Sequence, residues 1–177
     1  MQQNMVVTQR ECPARRVPSG QMTSIPAGQF ISINQDLGGN YTITWQGNML
    51  RIDGTDASAI GRTPEVISFS ENNTDQINPE QVWQAIKSVF DPEIPVNLVD
   101  LGLIYQVDID QATKSANIKM TLTAPGCGMG PILVSDVEYR VAMAPNVEQV
   151  NVELVFDPPW HKDMMSEEAQ LETGLFF

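Results

Sequence analysis

One cysteine stands among three glycines in Gly126-Cys127-Gly128-Met129-Gly130-Pro131, which Ala124-Pro125 joins to an alternating apolar run that ends in Leu122-Thr123. Glycines let the backbone turn tightly and leave N–H groups open, and proline suits the first turn of a helix, where its missing N–H has no intrahelical partner. The spacing therefore predicts a thiol at a helix N-terminus. The positive helix end favours a thiolate, so Cys127 is expected to ionise below the ordinary thiol value of about 8.5. A thiolate is both a nucleophile and a soft metal ligand, which makes Cys127 the first candidate for covalent chemistry or iron ligation. The competing reading is a buried structural cysteine.

Other groups with chemistry are few. Asp91-Pro92-Glu93 opens a segment, through Asp100-Leu101-Gly102, that holds too much proline for a helix and too many apolar residues for a solvated loop. Asp91 and Glu93 are candidates to line a site, or else a turn cap and a solvated charge. Asp100 sits in an apolar stretch, where a carboxylate needs a partner, and the N–H groups of the Cys127 loop are expected to supply one. Thr123, Gly126 and Gly128 border the thiol in sequence. Asp157-Pro158-Pro159-Trp160-His161 follows a later strand; Trp160 is a packing residue or a site wall, and His161 is the one histidine and so the one imidazole available as base or ligand. Cys12, in Arg10-Glu11-Cys12-Pro13, reads as a packing residue. The two cysteines make no disulfide framework.

These residues need elements to position them. A chain of 177 residues with 42% hydrophobic content can bury a real core. Its 22 acidic and 10 basic residues give a net charge of −12, which repels nucleic acid and anionic lipid. No apolar run suits a membrane span or an export signal, so the expectation is a soluble cytoplasmic protein. Dense Gly and Pro punctuation separates short alternating segments at Phe30–Ile33, Tyr41–Trp45 and Met49–Ile52, predicting a β-rich module over 1–67 that includes a meander. Residues 68–76 read as a linker, and a second domain covers 77–177.

In that domain Asn78 and Pro79 begin a helix with Val82, Ile86, Val89 and Phe90 on one face. Two strands follow, with Leu103, Tyr105, Val107 and Ile109 alternating in the first and Ile118, Met120 and Leu122 in the second. A helix from Pro131, a strand through Val150, Val152, Leu154 and Phe156, and a short helix from Ser166 complete the order αββαβ and its C-terminal addition. The fold class is α+β: a mixed three-stranded sheet with helices packed on it, behind the β-rich module. An antiparallel hairpin followed by a helical crossover brings the start of the first strand and the ends of the other two to one edge. Asp91, Glu93, Asp100, Thr123, Cys127, Trp160 and His161 are expected along that rim.

The stretches Asp91 to Tyr105, Met120 to Cys127 and Phe156 to Trp160 resemble the three signature stretches of a family of iron-sulfur assembly and targeting factors that includes PaaD and SufT. The resemblance covers about Asn78 to Phe177, and the β-rich extension with its Arg-Glu-Cys-Pro start is similar to the N-terminal part of the SufT type. It implies a role in maturing iron-sulfur proteins, with Cys127 as the functional thiol and the Asp-Pro-Glu segment lining its site. Implied partners are iron-sulfur client proteins and the assembly machinery. A stable cluster takes about four ligands, mostly thiolates, and this chain has two distant cysteines. No permanent cofactor is expected, only transient iron or a transient cluster at Cys127, its shell completed by a partner, a second protomer or nearby carboxylates. The alternatives are a thiol or acyl transferase with Cys127 as nucleophile and His161 as base, and an interaction module in which Cys127 is structural.

Overall fold

The computed structural model describes residues 4–92, 94–124 and 128–174. The chain divides into two compact units, Met1–Val66 and Ile67–Phe177, of mixed α and β structure.

The first unit is a six-stranded sheet in the order β1-β4-β5-β6-β2-β3, every neighbouring pair antiparallel. Its strands are β1 (Met5–Val7), β2 (Cys12–Arg16), β3 (Met22–Ile25), β4 (Phe30–Gln35), β5 (Tyr41–Trp45) and β6 (Asn48–Ile52). The expected meander is β4-β5-β6. The hairpin of β2 and β3 was not marked by apolar alternation, because Pro13, Arg15 and Arg16 occupy β2. Cys12 is fully buried with Ile25, Ile31, Ile43 and Leu50, a packing residue as its context suggested. Arg15 lies buried with its guanidinium 3.8 Å from the Asp53 carboxylate, and Asp53 also caps the following 3-10 turn by accepting from the Thr55 N–H at 3.0 Å.

The second unit opens with residues 68–76, which hold no helix or strand and are fastened to α1 (Pro79–Lys87). Gln84 accepts from the Ser70 N–H at 2.9 Å, and the Gln81 amide donates to the Ser70 carbonyl. Asn78 caps α1 by accepting from the Glu80 N–H at 3.0 Å, with Pro79 in the first turn. The face of Val82, Ala85 and Ile86 is buried, as the 3.6-residue spacing requires. Strands β7 (Ile104–Asp110), β8 (Ser115–Met120) and β9 (Gln149–Leu154) form a second sheet in that order, antiparallel then parallel. The crossover between β8 and β9 contains α2 (Gly130–Val141). Val82, Ile86, Leu133, Val137, Ile118 and Met120 share one core. A short helix, α3 (Glu167–Thr173), is capped by Ser166. Among the described residues no helix is long and apolar enough to cross a membrane.

Candidate functional site

The pairing of β7, β8 and β9 puts three strand ends together. Ile104 lies opposite Met120, the Thr121 N–H donates to the Leu103 carbonyl at 2.8 Å, and the Val155 N–H donates to the Met120 carbonyl at 2.8 Å. Met120 is in turn the parallel neighbour of Leu154. The start of β7 and the ends of β8 and β9 therefore share one edge of the sheet.

A cleft opens at this edge, lined by Asp91, Pro92 and Ile94 of the proline-rich segment, Leu103, Leu122 and Thr123 of the strand ends, and Met129 and Leu133 at the start of α2. The Asp91 side chain is nearly buried and accepts from the Ile94 N–H at 2.9 Å, a local bond that folds the segment back on itself. The Asp91 N–H donates to the Val96 carbonyl, and the Leu98 N–H to the Val89 carbonyl, so the segment packs rather than floats. Six of the eight lining residues are apolar. A cleft of this kind excludes water around a few polar groups, here the Asp91 carboxylate and the Thr123 hydroxyl, and so strengthens electrostatic interactions within it.

Asp100, Trp160 and His161 are not among the residues that line the cleft. Asp100 finds its partner locally: the Asn97 side-chain amide donates to its carboxylate at 2.6 Å, and the Asp100 N–H donates back to the Asn97 side chain at 2.9 Å. Trp160 lies behind the segment, its indole N–H on the Leu101 carbonyl. His161 is exposed and caps a short 3-10 turn by accepting from the Asp163 N–H at 3.2 Å. Gly128 is an exposed turn residue two positions before α2. Cys127, Gly126 and Glu93 lie outside the described residues. Among the described residues, no three of His, Cys, Asp and Glu are grouped as a metal shell. The apolar walls of Leu103, Leu122, Met129 and Leu133 were not read as site residues; their signal was apolar periodicity running up to the motif ends, which also describes ordinary core.

A sequence model of the family described as iron-sulfur cluster assembly protein matches residues 79–154, the part of the second unit that builds the cleft. An Fe-S protein maturation auxiliary factor of Porphyromonas gingivalis is 46% identical over 103 residues, covering 58% of this chain and 97% of that protein. The Bacillus subtilis auxiliary factor YitW is 41% identical, covering 54% and 93%, and the Staphylococcus aureus auxiliary factor SufT is 40% identical, covering 49% and 98%. Among solved structures, a domain of unknown function from Bacillus anthracis is 37% identical with a TM-score of 0.51, covering 54% of this chain and 91% of that one. A conserved hypothetical protein from Thermotoga maritima is 36% identical with a TM-score of 0.51, covering 57% and 98%. With relatives matched along nearly their whole length at this identity, the chain belongs to the iron-sulfur cluster assembly protein family.

Proposed function

We propose that the protein is an auxiliary factor in the maturation of iron-sulfur proteins, acting as an adaptor or transient carrier with Cys127 as its working thiol. The observation that carries this reading is the near end-to-end match to relatives named Fe-S protein maturation auxiliary factors. Iron or a cluster is cargo in this scheme. A single thiolate and the carboxylate of Asp91 bind iron weakly until a client or an assembly protein contributes further ligands, so the working state is a complex. The net charge of −12 favours partners with basic surfaces and disfavours anionic ones. The test is anaerobic purification with iron and sulfide analysis, then capture of partners by wild type and Cys127→Ser. Labile, substoichiometric iron and thiol-dependent capture of iron-sulfur proteins are expected. A stable, fully occupied cluster on the isolated chain would overturn the transient-carrier mechanism, and capture of no iron-sulfur protein or assembly component would remove the adaptor role.

A further inference from the structure

Gly130 opens α2 with helical backbone, outside the left-handed region that calls for glycine elsewhere in the chain. Alanine would favour the helix there, because glycine gives up more conformational freedom on folding. The reason for glycine is what stands next to it. A Cβ at position 130 would lie 2.9 Å from Leu122 Cδ1 and 3.5 Å from Leu154 Cδ1. The second distance is ordinary contact, whereas the first is closer than carbon atoms normally approach, by roughly 0.6 Å or more. The start of α2 therefore lies directly on Leu122, just past β8, and on Leu154, the last residue of β9. Leu122 is one wall of the cleft.

Which group gives way decides what an added methyl does. Leu122 is 4% exposed and shares its core with Met120, Leu133 and Val137. Such interiors are close-packed, so its isopropyl group has room on one side, toward the cleft. The cleft encloses about 40 Å³ among residues that include Asp91, Thr123, Met129 and Leu133. One water needs about 10 to 15 Å³ of such space, so there is room for a group of only a few atoms. A leucine methyl pushed into that space takes up a good part of it.

We propose that Gly130 is a positioning residue of this site: its missing Cβ keeps the Leu122 side chain out of the cleft and preserves the space beside Asp91 and Thr123. Gly130 acts through Leu122 and touches no ligand itself. The geometric half of the proposal stands on the contacts alone, and the functional half rests on the maturation role. Because the atom met at 2.9 Å is a side-chain tip and not backbone, an alanine is accommodated with little loss of stability. The loss falls on the open volume of the cleft instead.

The test uses the full chain with Gly130→Ala and with Gly130→Ala/Leu122→Val, since valine lacks the Cδ atoms that meet the new Cβ. Crystal structures read the geometry: Gly130→Ala should keep α2 in place with Leu122 moved into the cleft, and the double variant should reopen it. Function is read as client iron content and activity in cells lacking the wild-type protein and complemented with each variant. Gly130→Ala is expected to lose at least about threefold in maturation at a nearly unchanged urea midpoint, and Leu122→Val to restore most of that loss. A displaced α2 with Leu122 unmoved would overturn the proposal, as would wild-type maturation by Gly130→Ala or a fall in maturation that merely follows the midpoint. If Gly130→Ala fails to fold while the double variant folds, the tip of Leu122 does not yield, and the proposal falls in that way too. If wild type does not complement, the maturation role is lost, and the crystal structures alone decide whether the cleft depends on Gly130.

Discussion

Trp160 donates its indole N–H to the Leu101 carbonyl at 2.7 Å across 59 positions of sequence. The next-door Asp100 carbonyl accepts from the Ser166 N–H at 2.8 Å, and the Pro158 carbonyl accepts from the Tyr105 hydroxyl at 2.7 Å. The C-terminal segment thus fastens the back of the turn whose front supplies Leu103 to the cleft. Trp160→Phe keeps most of the ring and removes the donor from the carbonyl of the fully buried Leu101. It is expected to lose about 1 kcal/mol in urea unfolding, and Trp160→Ala at least about twice that, because packing goes as well. Equal losses in the two variants would mean that the ring contributes nothing beyond its hydrogen bond.

Gly102 occupies the same turn with φ of +76°, and a Cβ there would lie 2.3 Å from the Met164 carbonyl oxygen. Backbone cannot yield as a side-chain tip can. Gly102→Ala is therefore expected to destabilise the protein by about 2 kcal/mol or more, combining left-handed strain with a clash against the C-terminal segment. Faster amide exchange at Ser166, whose N–H bonds to Asp100, should accompany the loss. An alanine variant as stable as wild type would show that the segment shifts freely.

Much of the second unit was legible because its signals are periodic. Val107 and Ile109 against Ile118 and Met120 announce a half-buried hairpin, and Asn78-Pro79 announces a helix start. Their pairing then places the Asp91 segment and Thr123 near one edge by topology alone. What stayed hidden depends on contacts distant in sequence. Nothing near Trp160 says that it will meet Leu101, and the Asn97 side chain beside Asp100 meets a need that had been assigned to the Cys127 loop. In the first unit, Arg15 and Arg51 are opposite each other across β2 and β6 and both are buried. Arginines in a strand ordinarily mark its solvent face, so the β2–β3 hairpin escaped the apolar pattern.

Cys12 has a thiol whose pKa is raised from 9.0 to about 11, by burial first and by the Asp56 carboxylate second, partly offset by Arg10. Well below pH 9 the thiol is protonated in folded and unfolded chains alike, and stability is unaffected. Between about pH 9 and 11 the unfolded chain releases this proton and the folded chain keeps it. Stability should fall over that window by about 2 to 3 kcal/mol in total, and Cys12→Ala should flatten the decline. In the native state at neutral pH, Cys12 should resist iodoacetamide until the first unit unfolds. Rapid native labelling at Cys12, read by mass spectrometry, would contradict the buried position.

His161 and Cys127 separate an adaptor from a thiol enzyme. A cysteine nucleophile at neutral pH needs a base unless it is already ionised, and His161 is the one imidazole in the chain. Its Nδ1 accepts from the Asp163 N–H and also lies 3.2 Å from the Asp163 carboxylate. The neutral ring satisfies the first contact and the protonated ring the second. Either way the ring serves an exposed 3-10 turn, where an ion pair contributes little because water screens it. His161→Ala should therefore cost roughly the 0.5 to 1 kcal/mol of a helix cap and leave maturation of an iron-sulfur client nearly intact. Cys127→Ser should abolish maturation without measurable loss of stability, since serine keeps the size and removes the soft ligand. The readout is client iron content and activity in cells lacking the wild-type protein and complemented with each variant. Failure of folded His161→Ala to complement, on a par with Cys127→Ser, would shift the reading to catalysis or to a histidine ligand for the cargo.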